Sequence, residues 1–259
     1  MISRKQNFVP LNNNLDKALA FAPSLREDFH KDFKVKRPQN MVDSLEAVKK
    51  LQAEGWVLDG ITEDKNELLK PVGHQIKLSH PDIRLGKEDG MANTYITNKV
   101  VNTGYQDFMM LSLGVYRQVC GNGLWAMRDD VKEKILNPHD LDHALNSIET
   151  ESNQMIKQFE RIREIELSQS GQFGYAQKAL QIRFGQIPNI DYKQLLNVNR
   201  DADKGDNVWK VYNRIQENLT KPAMLKNKQG FNVTGVTDYA QNQRVNQELY
   251  KLMVSPYIN

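Results

Sequence analysis

The chain has one cysteine, Cys120, and five histidines. A thiol beside an imidazole is a possible nucleophile–base couple. Cys120 stands at the end of a β-type run, where the plain alternative is a small buried hydrophobe. His139 and His143 fall at i, i+4, the spacing that sets two ligands on one helical face. Their only close companions are Asp140 and Asp142, and no cysteine pair completes a metal set, so an exposed helix start accounts for them. His74 and His80 lie on the apolar side of the alternating run VGHQIKLSH and read as packed, hydrogen-bonded core histidines. There is no G-x-x-x-x-G-K-[ST], no G-x-G-x-x-G and no H-E-x-x-H; Gly121-Asn122-Gly123 is too short to stand for a phosphate loop. A P-loop ATPase is therefore argued against, no cofactor or metal is expected, and the chain reads as a non-enzyme.

The remaining chemistry is electrostatic and aromatic. Arg84, Lys87, Tyr95, Lys99, Tyr105, Tyr116, Arg117, Trp125, Arg128 and Lys132 interleave through the β-rich half of the chain. Binders of single strands need cations for phosphates and flat side chains for bases. On this reading Lys99, Arg117, Arg128 and Lys132 take phosphates, and Tyr105 and Trp125 stack. The opposing reading makes the aromatics core and the basic residues a solvated face.

The elements that must position these residues follow from pattern. Asp43 or Ser44 caps a helix over 43–54, with Leu45, Val48 and Leu51 as its stripe and Gly55 as its stop. Strands are expected at about 56–62, 72–80 and 94–102, with 81–91 as a loop, and 108–119 fits strand or helix. A short helix is expected over 130–136. A long one follows from Asp140 to Leu167, carried by Leu141, Leu145, Ile148, Met155, Phe159 and Ile162 and interrupted at Ser152; its seam serves a subunit interface or, preferably, the sheet. Gly171 to Gly174 are expected to break the helix that resumes at Tyr175, Trp209 to Leu219 forms a strongly amphipathic helix, 220–237 is loop, and Asp238 caps a last helix through Met253. The fold class is α+β: an antiparallel β-rich core over about 55–127 flanked by helices, with a mostly helical C-terminal half. The expected domains are a basic arm over 1–40, an α+β core over 41–167 and a helical region over 168–259.

Composition bounds the partners. The apolar fraction is 39%, the charged fraction 26%, the formal net charge +3 and the pI near 8.7. A mild basic excess permits nucleic-acid binding without demanding it. One cysteine forms no intrachain disulfide, no apolar leader segment is visible in the polar first residues, and no apolar run approaches a membrane span, so a cytoplasmic protein without membrane partners is expected.

Four stretches carry a resemblance: Gly55-Trp56 after the first helix, HQIKLSHP at His74–Pro81, VNTGYQDFMMLSLGVYRQVCGNGLWA, and NVWKVYNRIQENL at Asn207–Leu219. Together they resemble the phage/plasmid-like protein family of unassigned function, whose Arg-x-Val-Cys-x-Asn-Gly-Leu motif matches at Arg117, Val119, Cys120, Asn122, Gly123 and Leu124, while Asn102 to Asp107 match its first part only loosely. This implies a phage or mobile-element protein working in a bacterial host. The plan of helix, strands and long helix is also similar to single-strand annealing proteins of the Red-beta/Erf class, which form rings or filaments on DNA without ATP. The expected function is thus a phage-type single-stranded-DNA-binding protein for ATP-independent annealing or recombination, working as a homo-oligomer. The alternatives are a phage structural or accessory protein acting through protein contacts, and a Cys120-dependent enzyme.

Overall fold

A computed structural model describes residues 8–26, 28–34, 41–65, 70–86, 90–99, 109–117, 122–124, 133–135, 137–185, 189–236 and 239–257. The chain divides into two units, one formed by Met1–Tyr116 with Met127–Gln154 and the other by Arg117–Ala126 with Met155–Asn259.

The first unit is built on an antiparallel sheet. Strand β1 (Val9–Pro10) pairs with β2 (Val57–Lys65), and α1 (Leu15–Phe21) and α2 (Phe29–Asp32) lie between them in sequence. Asn14 caps α1 by accepting the Lys17 N–H at 2.8 Å. The stretch expected as a basic arm thus contributes a strand, two helices and the buried Leu11, Ala18, Ala22, Leu25 and Phe29. Helix α3 (Ser44–Ala53) starts where the sequence placed it, with Asp43 accepting the Leu45 N–H, and buries Ala47, Val48 and Leu51.

β3 (Pro71–Leu85), β4 (Gly90–Lys99) and β5 (Met109–Arg117) continue the sheet in the order β1-β2-β3-β4-β5. Most of the region expected as loop between β3 and β4 is strand, because the Arg84↔Met91 and Leu85↔Gly90 pairs extend the ladder beyond an irregularity after Ser79. The ambiguous stretch after 108 is strand. β6 (Asn122–Leu124) follows, and β7 (Glu133–Ile135) pairs with Met109–Leu111 of β5, so within the helix expected at 130–136 the described residues 133–135 are corrected to a strand. A partner across the sheet outweighs the helix-forming glutamate and lysines there.

α4 (Pro138–Ile162) is the long helix; Pro138 opens it instead of ending the element before it. Leu141, Leu145, Ile148, Met155, Phe159 and Ile162 are all 3% exposed or less, and the helix contributes to both units. Lys50 of α3 bonds Asp142 at 2.5 Å.

The second unit is helical. α5 (Gln169–Phe184) runs unbroken through Gly171 and Gly174, which corrects the expected interruption; Ser168 caps it. α6 (Val208–Thr220) is buried at every residue but Lys210, and α7 (Tyr239–Met253) closes the fold. Trp209, Tyr212, Phe159 and Tyr250 make the aromatic core, with Phe159 edge-on to Trp209 at 5.4 Å between centroids. The polar positions of α6 are met by the loops around it. Arg200 and Lys221 hold Glu217 at 2.8 Å each, and Asn218 donates to the carbonyls of Leu195 and Asn197. Burial alone would raise the Glu217 carboxyl, but its bonds from Arg200 and Lys221 hold it below the ordinary value. No helix among the described residues is long and apolar enough to cross a membrane.

Candidate functional site

The sheet of the first unit carries two different polar sets, one on each face. On the face toward α3, register aligns Glu63 of β2, His74 of β3, Asn98 of β4 and Met109 of β5 in one cross-strand row. Ser24 and Ser44 close over it. His74 Nε2 lies 2.8 Å from Ser44 Oγ and Nδ1 lies 3.0 Å from Ser24 Oγ. Asn98 Nδ2 donates to Ser44 Oγ and to the Val42 carbonyl, both at 2.8 Å, and the Ser24 N–H donates to Glu63 Oε1 at 3.0 Å. With its proton on Nε2, His74 donates to Ser44 and accepts from Ser24, which leaves the Ser44 proton for Met109 Sδ at 3.8 Å. Burial drives the His74 imidazole down to about 3, so it is neutral. A serine beside a histidine has the outline of a nucleophile–base pair. Here both ring nitrogens are engaged, and Ser24, Ser44, His74 and Asn98 are at most 2% exposed, so the row ties the N-terminal segment and α3 to the sheet. His80 is likewise packed, edge-on to Trp56 and bonded to the Glu54 carbonyl at 3.2 Å.

The opposite face carries Gln75, Lys77 and Ser79 on β3, Asn93, Tyr95 and Thr97 on β4, and Met110 and Ser112 on β5. Lys77 Nζ sits 3.2 Å from Asp59 Oδ2, while Ser79 Oγ donates to Asp59 Oδ1 at 2.9 Å. Burial lowers the Lys77 ammonium from its ordinary value, and Asp59 offsets part of that. Gln75 donates to Thr97 Oγ1, and Asn93 Nδ2 to the Tyr95 hydroxyl. Asn93 is fully buried and its Oδ1 has no partner. The face is polar and largely covered. The sequence placed Lys77, Gln75 and Ser79 together by alternation, but the pairing with Asp59 needed the strand register to be seen.

The six residues assigned to single-stranded DNA relate to this sheet as follows. Lys99 ends β4 and Arg117 ends β5. The strands are antiparallel, with Asn98↔Met109 at one end of the ladder and Met91↔Tyr116 at the other, so the two residues stand at opposite ends. Seven residue steps along β4 make that ladder about 23 Å long at about 3.3 Å per residue. Tyr105, Trp125, Arg128 and Lys132 lie outside the described residues, as do Lys87 and Cys120. Arg84 is exposed on β3 and donates to the Pro81 carbonyl; Tyr95 is buried. His139 and His143 are exposed on the first turns of α4, and no group of three metal-ligating side chains occurs among the described residues.

Residues 27–249 match a family model described as "Domain of unknown function (DUF932)". Over 150 residues the chain is 29% identical to "UPF0380 protein YfjQ" and 28% identical to "UPF0380 protein YafZ", both of Escherichia coli (strain K12). Each alignment covers 54% of this chain and 54% of the relative, so the chain spans about half the length of the curated relatives it matches. No solved structure matches it. With the family model covering most of the sequence, from α2 to α7, the chain belongs to the DUF932 family, a family of unknown function.

Proposed function

We propose that the chain binds single-stranded DNA and acts, without ATP and as a homo-oligomer, in strand annealing or recombination in the cytoplasm of a bacterial host, as a phage or mobile-element protein. The observation that carries this reading is the interleaving of cations and aromatics from Tyr95 to Lys132, anchored by Lys99 and Arg117 at the two ends of the β4–β5 ladder. Cations at well-separated points suit an extended phosphate chain better than a compact anion, which needs its donors converging on one point. Tyr105, Trp125, Arg128 and Lys132 complete the proposed track. The alternative, a structural or accessory phage protein working through protein contacts, would need a surface other than the apolar seam of α4, because that seam is buried within the chain.

Fluorescence anisotropy with labelled single-stranded and duplex DNA at two salt concentrations tests the reading. Salt-sensitive binding that prefers the single strand is expected, and the double variant Lys99→Ala/Arg117→Ala should weaken it. Absence of binding at low salt would remove the nucleic-acid reading. Unchanged affinity and salt slope in the variant would remove the two site residues.

A further inference from the structure

Among the described residues, the large apolar side chain most open to solvent belongs to Phe231, at 70% exposure. Its backbone, by contrast, is fixed. The Phe231 N–H donates to Asn227 Oδ1 and the Phe231 carbonyl accepts from the Asn227 N–H, each at 3.0 Å. Asn227 Oδ1 also accepts the Gln229 N–H at 3.0 Å, and the Gly230 N–H reaches the Asn227 carbonyl at 2.9 Å. Gly230, at φ +85°, supplies the left-handed step that closes the turn. Beneath it, the Val233 N–H bonds the Leu225 carbonyl at 2.8 Å, and the Leu225 side chain is buried. The flank is braced as well: Gln194 makes two bonds to the backbone of Lys226, at 2.8 and 3.0 Å, and the Lys228 N–H donates to the Asn189 carbonyl at 2.9 Å.

A single exposed apolar residue is ordinary on a protein surface. Its setting is not ordinary here. Lys226 and Lys228 are exposed on the same turn and form no ion pair among the described residues, and no aspartate or glutamate occurs in the sequence between residues 218 and 237. A flat ring on a rigid support, with exposed cations on the segment that leads to it, is what stacking on a base with neighbouring phosphate contacts requires. A duplex keeps its bases stacked on one another and offers such a ring no face.

We propose that Lys226, Lys228 and Phe231 form a second contact for single-stranded nucleic acid, with a base stacked on Phe231 and adjacent phosphates on the two lysines. The inference rests on the single-strand-binding reading above, but it needs none of the sheet residues named there. The preformed turn spares the cost of ordering its backbone at the moment of binding.

The test uses the full chain and fluorescein-labelled oligo-dT. Phe231→Ala should weaken binding about tenfold, within the range known for loss of one base–aromatic stack. Phe231→Tyr should retain it. Lys226→Ala/Lys228→Ala should reduce the steepness of the salt dependence by about 1.4, at about 0.7 per single-strand phosphate contact. Phe231→Trp should bind as the wild type does, with added fluorescence that oligo-dT quenches. Because Phe231 is exposed, these variants leave the core intact. If the wild type binds oligo-dT while Phe231→Ala and the lysine pair match it in affinity and salt slope, the second contact is overturned and the binding reading stands. If the wild type binds no single strand at low salt, that reading falls and the inference with it. Equal losses on duplex and single strand in Phe231→Ala would also overturn the stacking assignment.

Discussion

His74 is neutral because it is buried, and that neutrality is a statement about stability. Its folded value of about 3 lies below the ordinary 6.5. As pH falls below about 6.5 the unfolded chain takes up a proton that the folded chain refuses, so stability is full above that value and is lost on acidification until the folded imidazole titrates. The slope is about 1.4 kcal/mol per pH unit. Between pH 7.5 and pH 5, urea unfolding of the wild type should lose about 2 kcal/mol more than that of His74→Gln, which keeps hydrogen-bonding capacity but does not titrate. Parallel pH profiles for the two proteins would show that His74 is reached by water. Ser152 makes the opposite case. It is fully buried in α4 and its hydroxyl has no partner among the described residues. An unpaired buried hydroxyl costs stability and alanine is the better helix former, so Ser152→Ala should raise stability by about 1 kcal/mol, read from the urea midpoint.

At the scale of elements, α5 contains a second correctable residue. A Cβ built at Gly174 meets nothing within 4 Å. Gly174→Ala should therefore stabilise the protein by about 0.5–1 kcal/mol, through the lost freedom of the unfolded chain, with the midpoint raised and the urea slope unchanged. The same helix shows what a sequence can carry. α3 was legible because a capping side chain at Asp43 coincides with a 3.6-residue apolar period, and α6 because of its amphipathic period alone; its cap, Asn207, emerged from the structure. α5 was misread because two glycines outweigh a weak stripe locally, whereas buried Ala176, Ala179 and Leu180 decide the matter in the fold. β7 was misread for the converse reason: the segment is held by its register against β5, and no local pattern records a partner some twenty residues away in sequence. The candidate contacts divide the same way. Residue types announced a basic and aromatic stretch, but only the antiparallel register shows that Lys99 and Arg117 end opposite ends of a ladder. The sequence marked 220–237 as loop, while the turn that Asn227 and Gly230 build there and the exposure of Phe231 upon it emerged only from the structure.

For the whole molecule, a formal net charge of +3 is too small to hold a polyanion by a general field. Binding must come from local contacts, and their number can be counted through salt. Four phosphate contacts, at Lys99, Arg117, Arg128 and Lys132, give a slope of log affinity against log salt of about −2.8 on a single strand. Raising salt fourfold would then weaken binding about 50-fold. Adding Lys226 and Lys228 brings the slope to about −4.2, and the same change in salt costs about 300-fold. The wild-type slope therefore discriminates between the track alone and the track with its second contact before any substitution is made. The variants apportion it: Lys99→Ala/Arg117→Ala and Lys226→Ala/Lys228→Ala should each remove about 1.4, and their combination about 2.8, because the two pairs lie on different elements. A wild-type slope of about −1 or shallower would limit the chain to one phosphate contact and exclude both proposed sets. A combined variant that loses no more than one of the pairs alone, with the other pair's variant unchanged from wild type, would mean that this other pair never touches the strand.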